Sequence, residues 1–566
     1  MKIHILEHST NNFKHQRSYH SFTSKCLNPI GIGGEEPIIH TTWESVLASG
    51  ATHVLYLYPP FGQPALPALL EALPKGKDNN KTDGDGKPIG IKQIRGSRYF
   101  HQNIEIIPTY HPLTTLGSFK NWWLIGIDFK RYIKDSKEGY KQPEFTTHIC
   151  DNFSKAITYL NKLYSLPITY GDIEGALETG AVSCIGFSLS EREGFTIPFC
   201  DMDGYSIFSL EEEVLLWDRI QHVLTHVTTG WQNCLYDLFV LAYAYGITVD
   251  KCTEDTMIKF WELFCEFPKG LGFLVSVLTD NPYYKDERTA GTLEAELIYN
   301  IKDCCLTHEC DNKLNQLLAR DPLAVDHYRL QMDTLPTLLY IMLQGMWIDQ
   351  GIKGFLLANA IGEVKRLQGV VNNDWLETDL GKAEVVKFNK SQEAIKTLIT
   401  EQFDLEAEYK KEFEIKPLKK WENKIAVCSR KIVRLKKKLH DLEKPVINVK
   451  SSKQKDTYMY SKLGLKLKKP AKKLAENNDG EEKTATEGIL IIKKMVNKTT
   501  PDKVKVKLQN LLLLINARTK VSDIQKLTVD KLDGRFRFNL NLVGTQTGRM
   551  NSSKSNIPIS GFKNFI

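Results

Sequence analysis

The chain has 566 residues, 42% of them hydrophobic and 25% charged, which is typical of a soluble globular protein with two to four domains. Lys and Arg number 75 against 68 Asp and Glu, and the net charge of +7 permits nucleic-acid binding without requiring it. The eleven cysteines form no CxxC pair, the N-terminus has no apolar signal-peptide core, and no segment approaches the ~18–20 apolar residues of a membrane span. We therefore expect a cytoplasmic protein with reduced thiols and no membrane partner.

Residues 1–145 are expected to form an α/β domain. The segment GKPIGIKQIRGSRYFHQNIEIIPTYHPLTTL, followed by WWLIGIDFKRYI, favours a strand, a turn and then a helix. The piece from IRG to PTYHP resembles the C-terminal half of a family-4-type uracil-DNA glycosylase, and the resemblance implies that His111 would act near a flipped base. Neither the Gly- and Pro-rich loop with its water-activating acid nor the iron–sulfur cysteines are found. We therefore expect a partial glycosylase-like domain, inactive, that serves as a scaffold or a DNA-contacting appendage.

Acidic residues recur in an ordered pattern through residues 150–320. SLPITYGDIEG predicts a short strand with Asp172 and Glu174 on one face, and AVSCIGFSLS predicts a neighbouring strand. QNCLYDLF predicts a strand end passing into a helix, with Asn233 and Asp237 four residues apart on one face. YNIKDCC is helical in its apolar spacing, and there Tyr299 and Asp303 also share a face at i, i+4.

This pattern favours a metal centre. Hard divalent cations prefer oxygen ligands, and phosphoryl-transfer sites often hold two of them about 3.5–4 Å apart. Two such ions beside an anionic phosphodiester need at least three converging carboxylates, and a phenol one turn from a metal carboxylate can hold the attacking water. A single DxE or YxxxD match is typical of surface charge, but the ordered combination predicts a metal-dependent nuclease.

The motifs D-x-E, N-x-x-x-D and Y-x-x-x-D resemble those of the tyrosine subclass of DEDD-type 3′–5′ exonucleases. The stretch EDTMIKFWELFCEFPKGLGFLVSVLTDNPYYKDE resembles the exonuclease domain of phage family A DNA polymerases, and the resemblance covers about residues 165–315. It implies a ribonuclease H-like α/β domain, a mixed sheet flanked by helices, that proofreads single-stranded 3′ ends of DNA. It also implies two Mg²⁺ ions, replaceable by Mn²⁺, and residue roles as follows: Asp172, Glu174, Asp237 and Asp303 as metal ligands, Tyr299 positioning the hydroxide, and Asn233 binding substrate.

Residues 325–566 contain a helical, basic region from about 355 to 520. KIAVCSRKIVRLKKKLHDLEK places leucines on one face and cations, among them Lys436 and Lys437, on the others. On a purely structural interpretation, this helix packs against the protein through its row of leucines and exposes its other faces to solvent. Its position resembles that of the thumb of family A polymerases, whose basic helices grip the phosphate backbone of the duplex.

The last predicted elements are a strand, RFRFNLNLV, and a polar turn, GTQTGRMNSS. An isolated TGR is typical of a polar hairpin, but with the preceding strand it resembles the primer–template segment of family A polymerases. The resemblance implies that duplex is contacted by Thr545, Arg549, Ser552 and Ser553, with Arg518 and Lys520 close by.

The three polymerase carboxylate and nucleotide-binding motifs are expected beyond this segment and are not found. We therefore expect residues 325–566 to be the thumb and the start of a palm, truncated before the catalytic carboxylates. On this hypothesis the chain alone extends no primer, and the palm and fingers are supplied by a separate partner chain, by a later exon or by sequence that has not been read. Two alternatives remain open: a stand-alone DEDD nuclease acting on RNA, and a DNA-binding scaffold that completes a split polymerase in trans.

Overall fold

The computed structural model describes residues 2–7, 37–58, 90–116, 118–176, 181–285, 287, 291–413, 427, 429–431, 433, 447–449, 451, 454–455, 457–464, 501–530 and 533–553. These residues belong to two compact units. The first runs to Gly345 and resumes at Arg537, and the second is Met346–Phe536. The boundary predicted at 320–325 therefore does not coincide with the division between the units, because one further helix and the tail from Arg537 belong to the first.

Five strands make up the first sheet of the first unit, and all but one run parallel. In spatial order they are β2 (Ile38–His40), β1 (His4–Glu7), β3 (His53–Tyr58), β5 (Ile104–Tyr110) and the antiparallel β4 (Tyr99–His101). The helices beside them are α1 (Trp43–Ala48), α2 (Ile91–Ile94), a 3₁₀ turn (Pro112–Leu116) and α3 (Asn121–Glu138).

The sequence of β3, HVLYLY, is apolar on both faces, as expected for a parallel strand that is covered on both sides. Ile125 and Phe129 of α3 pack on one face against Leu55 and Ile107. The α/β architecture predicted for this part of the chain is confirmed.

Six strands make up the second sheet of the same unit. In spatial order they are β11 (Cys252–Asp255), β10 (Thr229–Trp231), β7 (Thr169–Ala176), β8 (Ala181–Ser188), β9 (Glu193–Pro198) and β6 (Thr146–Ile149). The helices are α4 (Phe153–Lys162) with a 3₁₀ turn (Leu163–Ser165), α5 (Leu210–His226), α6 (Cys234–Tyr245), α7 (Thr256–Phe264), α8 (Leu271–Leu278), α9 (Leu293–Leu318) and α10 (Pro322–Gln344).

Strand β8 is antiparallel to both of its neighbours, whereas the other pairs in this sheet are parallel. Counted from β7, the spatial order is third, second, first, fourth, fifth, with the second strand reversed, which is the ribonuclease H-like arrangement. Helix α9 lies across β7, β8 and β9. Its approach to β8 requires a glycine, because a Cβ at Gly186 would lie 2.3 Å from Asn300 Oδ1. The predicted mixed sheet flanked by helices is confirmed.

The described part of the second unit is mainly helical, as predicted. Its elements are β12 (Met346–Trp347), α11 (Gln350–Leu376), α12 (Asp379–Phe413), a π-helix (Thr457–Lys462), α13 (Asp502–Lys526) and β13 (Arg535–Phe536), which pairs with β12. Side chains at helical spacing form its core, among them Leu367, Val371 and Trp375 of α11 and Leu508, Leu511 and Leu514 of α13. The basic segment with Lys436 and Lys437 lies outside the described residues.

The tail forms a small hairpin within the first unit. Its strands are β14 (Asn539–Asn541) and β15 (Asn551–Ser553), and Arg537 Nε donates to the Leu343 carbonyl at 3.0 Å. Within the described part of the chain, no helix combines the length and the apolar character that crossing a membrane requires. The nine cysteines in the described ranges are free thiols.

Candidate metal centre

Strand β7 carries the first two carboxylates at the middle of the ribonuclease H-like sheet. Asp172 and Glu174 are two residues apart and pair with Gly186 and Cys184 of β8. Because side chains alternate along a strand, both project from the same face, as predicted. One carboxylate oxygen each from Asp172, Glu174 and Asp303 lies within 4.8 Å of the others.

Helix α9 brings Asp303 and Tyr299 to this face, and both side chains are buried. Asn300, which was not predicted from the sequence, links α9 to the sheet through side-chain hydrogen bonds. Its Nδ2 donates to Asp172 Oδ2 at 2.9 Å, and its Oδ1 accepts from Thr196 Oγ1 at 2.8 Å. This amide therefore sets the orientation of the Asp172 carboxylate. One turn of helix separates Tyr299 from Asp303, so the phenol and the carboxylate face the same centre.

Asp237, the fourth predicted ligand, lies against β7 but outside the group of three. Its Oδ1 accepts a hydrogen bond from the backbone N–H of Ile173, between the two strand carboxylates, at 3.2 Å. It is buried in the first turn of α6. The structure thus brings three of the four predicted ligands together and places Asp237 beside them, and its ligand role stays a prediction.

Asn233 does not share a helical face with Asp237, and the sequence-based prediction on this point is wrong. Its backbone is left-handed, with φ 64°, and it precedes the first residue of α6. Its N–H donates to Asp255 Oδ1 at 3.3 Å, and Asp255 also accepts from Cys234 N–H at 2.8 Å. The reason is a tight strand-to-helix turn, which Asn tolerates better than most residues.

Two residues of the loop before α9 reach the centre, and sequence reasoning missed both. Tyr284 Oη donates to Asp303 Oδ1 at 2.6 Å. Lys285 Nζ donates to Asp303 Oδ2 at 2.7 Å and to the Tyr299 phenol oxygen at 2.5 Å. A single Tyr-Lys pair in a loop forms no periodic pattern that would predict its role. The one signal in the sequence is the position of the pair within the segment that resembles an exonuclease domain.

The clustered carboxylates repel one another, and this repulsion favours the binding of a cation at the centre. Burial, and then the charges of Asp303, Glu174 and Asp237, raise the pKa of Asp172 well above its usual value. Burial likewise raises the pKa of Asp237. Lys285 offsets part of this repulsion. The donors are all hard oxygen atoms, which fits Mg²⁺ or Mn²⁺ held by Asp172, Glu174 and Asp303.

This arrangement predicts that a divalent cation stabilises the folded chain. Without metal, Asp172 has a raised pKa in the folded state, so its folded form binds more protons and stability falls as pH rises above about 4. At neutral pH, Asp172→Asn should therefore raise the melting temperature of the metal-free chain. Mn²⁺ at 100 times its Kd should stabilise the wild type by about 2.7 kcal/mol and Asp172→Asn by less. Calorimetric melting with and without Mn²⁺ measures both effects, and equal Mn²⁺ shifts in the two proteins would contradict the metal assignment.

The predicted DNA-contacting residues divide between the two units. Thr545 Oγ1 accepts from the Arg549 N–H at 2.9 Å and so closes the turn between β14 and β15, and Arg549 is exposed. Trp261 Nε1 donates to the Thr545 carbonyl at 2.8 Å, and this contact ties the turn to α7. Ser552 pairs with Leu540 and Ser553 with Asn539. In the second unit, Arg518 donates to Gln368, and Lys520 is exposed on the same helix.

His111 lies at the carboxyl end of β5, next to Glu7 at the end of β1. The Leu113 N–H donates to His111 Nδ1 at 3.1 Å, so Nε2 carries the proton and donates to Glu7 Oε1 at 3.0 Å. Both side chains are buried, with exposed fractions of 0% and 3%. Glu7 belongs to strand β1 and not to a Gly- and Pro-rich loop, and the His111–Glu7 pair is enclosed.

We accordingly predict that the chain releases no uracil from a uracil-containing oligonucleotide and that His111 has a structural role. His111→Ala should lower the free energy of unfolding by about 3–5 kcal/mol, because it removes one partner of a buried pair. Glu7→Gln, which keeps an oxygen acceptor for Nε2, should cost less. Denaturant unfolding and a uracil-release assay measure the two properties. Uracil release that is lost in a folded His111→Ala protein would show that this domain is an enzyme.

No protein-family model and no curated protein sequence matches this chain. Among solved structures, it is similar to the POL domain of Pol1 from M. smegmatis in complex with DNA primer-template and dNTP, with 14% identity, a TM-score of 0.43, and coverage of 70% of this chain and 53% of that chain. It is also similar to NrnC from Brucella melitensis with bound Mg²⁺, with 19% identity, a TM-score of 0.27, and coverage of 36% of this chain and 95% of that chain. The catalytic core of RRP6 from Trypanosoma brucei gives 14% identity, a TM-score of 0.28, and coverage of 35% and 54%.

The chain spans about half the length of the Pol1 structure that it matches. The fold and the centre together define an α/β protein with a ribonuclease H-like sheet and a partly buried acidic cluster suited to a divalent cation.

Proposed function

We propose that this protein is a metal-dependent 3′–5′ exonuclease that acts on DNA, and that it serves as the proofreading part of a phage-type family A DNA polymerase. The observation that carries the nuclease activity is the convergence of Asp172, Glu174 and Asp303 within 4.8 Å on a ribonuclease H-like sheet, with the Tyr299 phenol one helical turn from Asp303. The proofreading role rests on the resemblance of the tail to a primer–template segment.

Asp172, Glu174 and Asp303 would hold the divalent cation, with Asp237 beside them as the fourth carboxylate. Two bound Mg²⁺ ions would supply Lewis-acid polarisation of the scissile phosphate and a water of lowered pKa. The chain's own contribution is to fix the carboxylates before substrate arrives. Asn300 orients Asp172, the backbone N–H of Ile173 orients Asp237, and Tyr284 orients Asp303.

Tyr299 would position the attacking water through its phenol. Lys285 donates to the phenol oxygen, which turns the ring hydroxyl toward other acceptors and makes its O–H a stronger donor. In the reaction, the water oxygen attacks phosphorus and the bond from phosphorus to the 3′ oxygen breaks. A nucleoside 5′-monophosphate leaves, and the shortened strand keeps a 3′-hydroxyl that has taken up a proton.

The principal alternative is a stand-alone nuclease that trims RNA, because the same carboxylates can cleave either backbone. The tail favours DNA, since its Thr545–Arg549 turn resembles a duplex-contacting segment and is bonded to α7 of the nuclease unit. Digestion of DNA and RNA oligonucleotides of the same sequence, labelled at the 5′ end, tests the proposal. We expect stepwise shortening of the DNA from its 3′ end, and faster cleavage of RNA would favour the alternative.

Arg549 is predicted to contact substrate phosphates. Arg549→Ala should raise KM for DNA and leave kcat nearly unchanged, and it should reduce the slope of log KM against log salt by about one, as the loss of one phosphate contact does. Steady-state kinetics at several salt concentrations measure both quantities. Arg329→Ala, at an exposed arginine of α10, is the matched control. An unchanged KM and salt slope in Arg549→Ala would remove this residue from the substrate path.

A further inference from the structure

The side chains that donate hydrogen bonds to Asp303 are those of Tyr284 and Lys285, and both lie at the end of one short segment, residues 276–285. It starts in the last turn of α8 and ends at Lys285. The last carbonyls of a helix have no partner within the helix, and they carry the negative end of its dipole. In this protein, arginines supply the missing donors. They belong to the part of the first unit up to Glu138, which contains the five-stranded sheet and α3 and is called the N-terminal domain below.

Three arginines bind the segment near its start. Arg95 Nη2 donates to Ser276 Oγ at 2.9 Å, and Arg131 Nη1 donates to the Ser276 carbonyl at 2.6 Å. Arg98 Nη1 donates to the Asp280 carbonyl at 3.0 Å. Guanidinium groups suit this task because each presents several donors in a fixed plane.

The arginines are held rigidly by their own domain. Arg95 is paired with Asp128, and Arg98 Nε donates to Asp135 Oδ2 at 2.8 Å. Both guanidinium groups are almost wholly buried. Gly96 lies between them with φ 70°, and a Cβ there would lie 2.5 Å from atoms of Arg131 and Asp128. The sequence RGSR therefore forms a loop that fits closely against α3.

The same loop also binds the segment next to the metal centre. Ser97 Oγ accepts from the Tyr283 N–H at 2.9 Å. The next two residues along the chain, Tyr284 and Lys285, make the contacts with Asp303 and Tyr299. Consecutive Cα atoms are about 3.8 Å apart, and Tyr283 precedes Lys285 by only two residues. A displacement of the backbone at Tyr283 therefore also moves the backbone that carries the Lys285 side chain.

We propose that the N-terminal domain is a positioning device for the exonuclease: Ser97 and Arg98 hold residues 276–285 so that Lys285 meets the Tyr299 phenol and Asp303. The proposal rests on the proposed function and gives the glycosylase-like domain a role that needs no chemistry of its own. Ser97 and Arg98 are positioning residues, because they act through Tyr284 and Lys285.

A double-mutant cycle on the full chain tests this. Ser97→Ala removes the acceptor for Tyr283, and Arg98→Lys keeps the charge but cannot reach both of its partners. We expect each to lower kcat on a single-stranded DNA oligonucleotide in Mg²⁺ by roughly 10-fold or more, with KM nearly unchanged, since small misplacements in an active site are costly. In a background that carries both Tyr284→Phe and Lys285→Met, which removes both side-chain links from the segment to Asp303, the same substitutions should change kcat by less than about 2-fold, because coupled residues are not additive.

Lys120→Ala is the matched control. Lys120 Nζ donates to the Glu266 carbonyl at 2.8 Å, a contact between the same two parts of the unit that does not lead to Lys285. It should leave kcat unchanged in both backgrounds. Hydrogen exchange adds a second measurement: Ser97→Ala should speed exchange at the amides of residues 283–285, and Lys120→Ala should not.

The outcomes are distinguishable. An effect of Ser97→Ala that is as large in the Tyr284→Phe, Lys285→Met background as in the wild type would overturn the positioning role while the exonuclease stands. Equal effects of Ser97→Ala and Lys120→Ala in the wild-type background would do the same. A folded wild-type chain with no exonuclease activity would overturn the proposed function, and this inference with it. If Arg98→Lys does not fold, Ser97→Ala, which removes only a neutral acceptor, decides the question.

Discussion

Replacing Asp172 or Asp303 by alanine is expected to lower the rate of 3′–5′ DNA degradation by at least about 10³-fold. Each change removes one of the three carboxylates whose oxygens converge within 4.8 Å, and a metal-assisted hydrolysis loses both the activated water and the clamp on phosphate when the ion is lost. Single-turnover digestion of a 5′-labelled oligonucleotide in Mg²⁺ or Mn²⁺ measures the rate.

The control for this result is Glu211→Ala, which removes an exposed carboxylate from α5 of the same domain. It should retain the wild-type rate, and excess EDTA should abolish activity in both. Full activity in Asp172→Ala and Asp303→Ala, or undiminished activity in EDTA, would refute the metal-dependent assignment.

Tyr299→Phe should lower kcat by about 10²-fold or more and leave Mn²⁺ binding intact. The phenol oxygen lies 2.5 Å from Lys285 Nζ, and it is not one of the proposed metal ligands, which are all carboxylates. The substitution therefore removes the group proposed to hold the attacking water and leaves every metal ligand in place. Calorimetric titration with Mn²⁺ and single-turnover cleavage separate the two properties.

Tyr205→Phe is the matched control, because Tyr205 is 73% exposed and loses the same hydroxyl group outside the centre. It should behave as the wild type in both measurements. Loss of Mn²⁺ binding in Tyr299→Phe would mean that the phenol supports the metal site itself, and the proposed division of roles would be wrong.

The periodicity of the sequence was sufficient to predict which elements carry the centre. Alternation placed Asp172 and Glu174 on one face of β7, and the i, i+4 spacing placed Tyr299 and Asp303 one turn apart on α9. Both relations depend only on local backbone geometry, which is the same in every strand or helix. The same rule failed at Asn233, because the helix begins one residue later and the turn before it is left-handed.

Contacts between residues distant in the chain had no such signal. Asn300 was invisible because an amide within a helix has no distinctive spacing, and its role depends on Asp172 lying opposite it. Lys285 was missed for a similar reason, since its partner Tyr299 is fourteen residues away across a loop. The acid beside His111 was missed because Glu7 is 104 residues earlier and meets it only at the edge of the sheet.

The sequence by itself therefore determined the order of the carboxylates, the elements that bear them and the hard-oxygen chemistry of the centre, because these follow from residue type and local repeat. The tertiary structure decided which carboxylates meet, that Asp237 bonds to the backbone of β7 beside the other three, and that the tail hairpin belongs with the first unit. It also decided that the RGSR loop, residues 95–98, forms hydrogen bonds with the segment 276–285 that leads to Lys285. Packing between elements that are distant in the chain sets these relations, and hydrogen bonds between residues almost two hundred positions apart leave no trace in a local pattern.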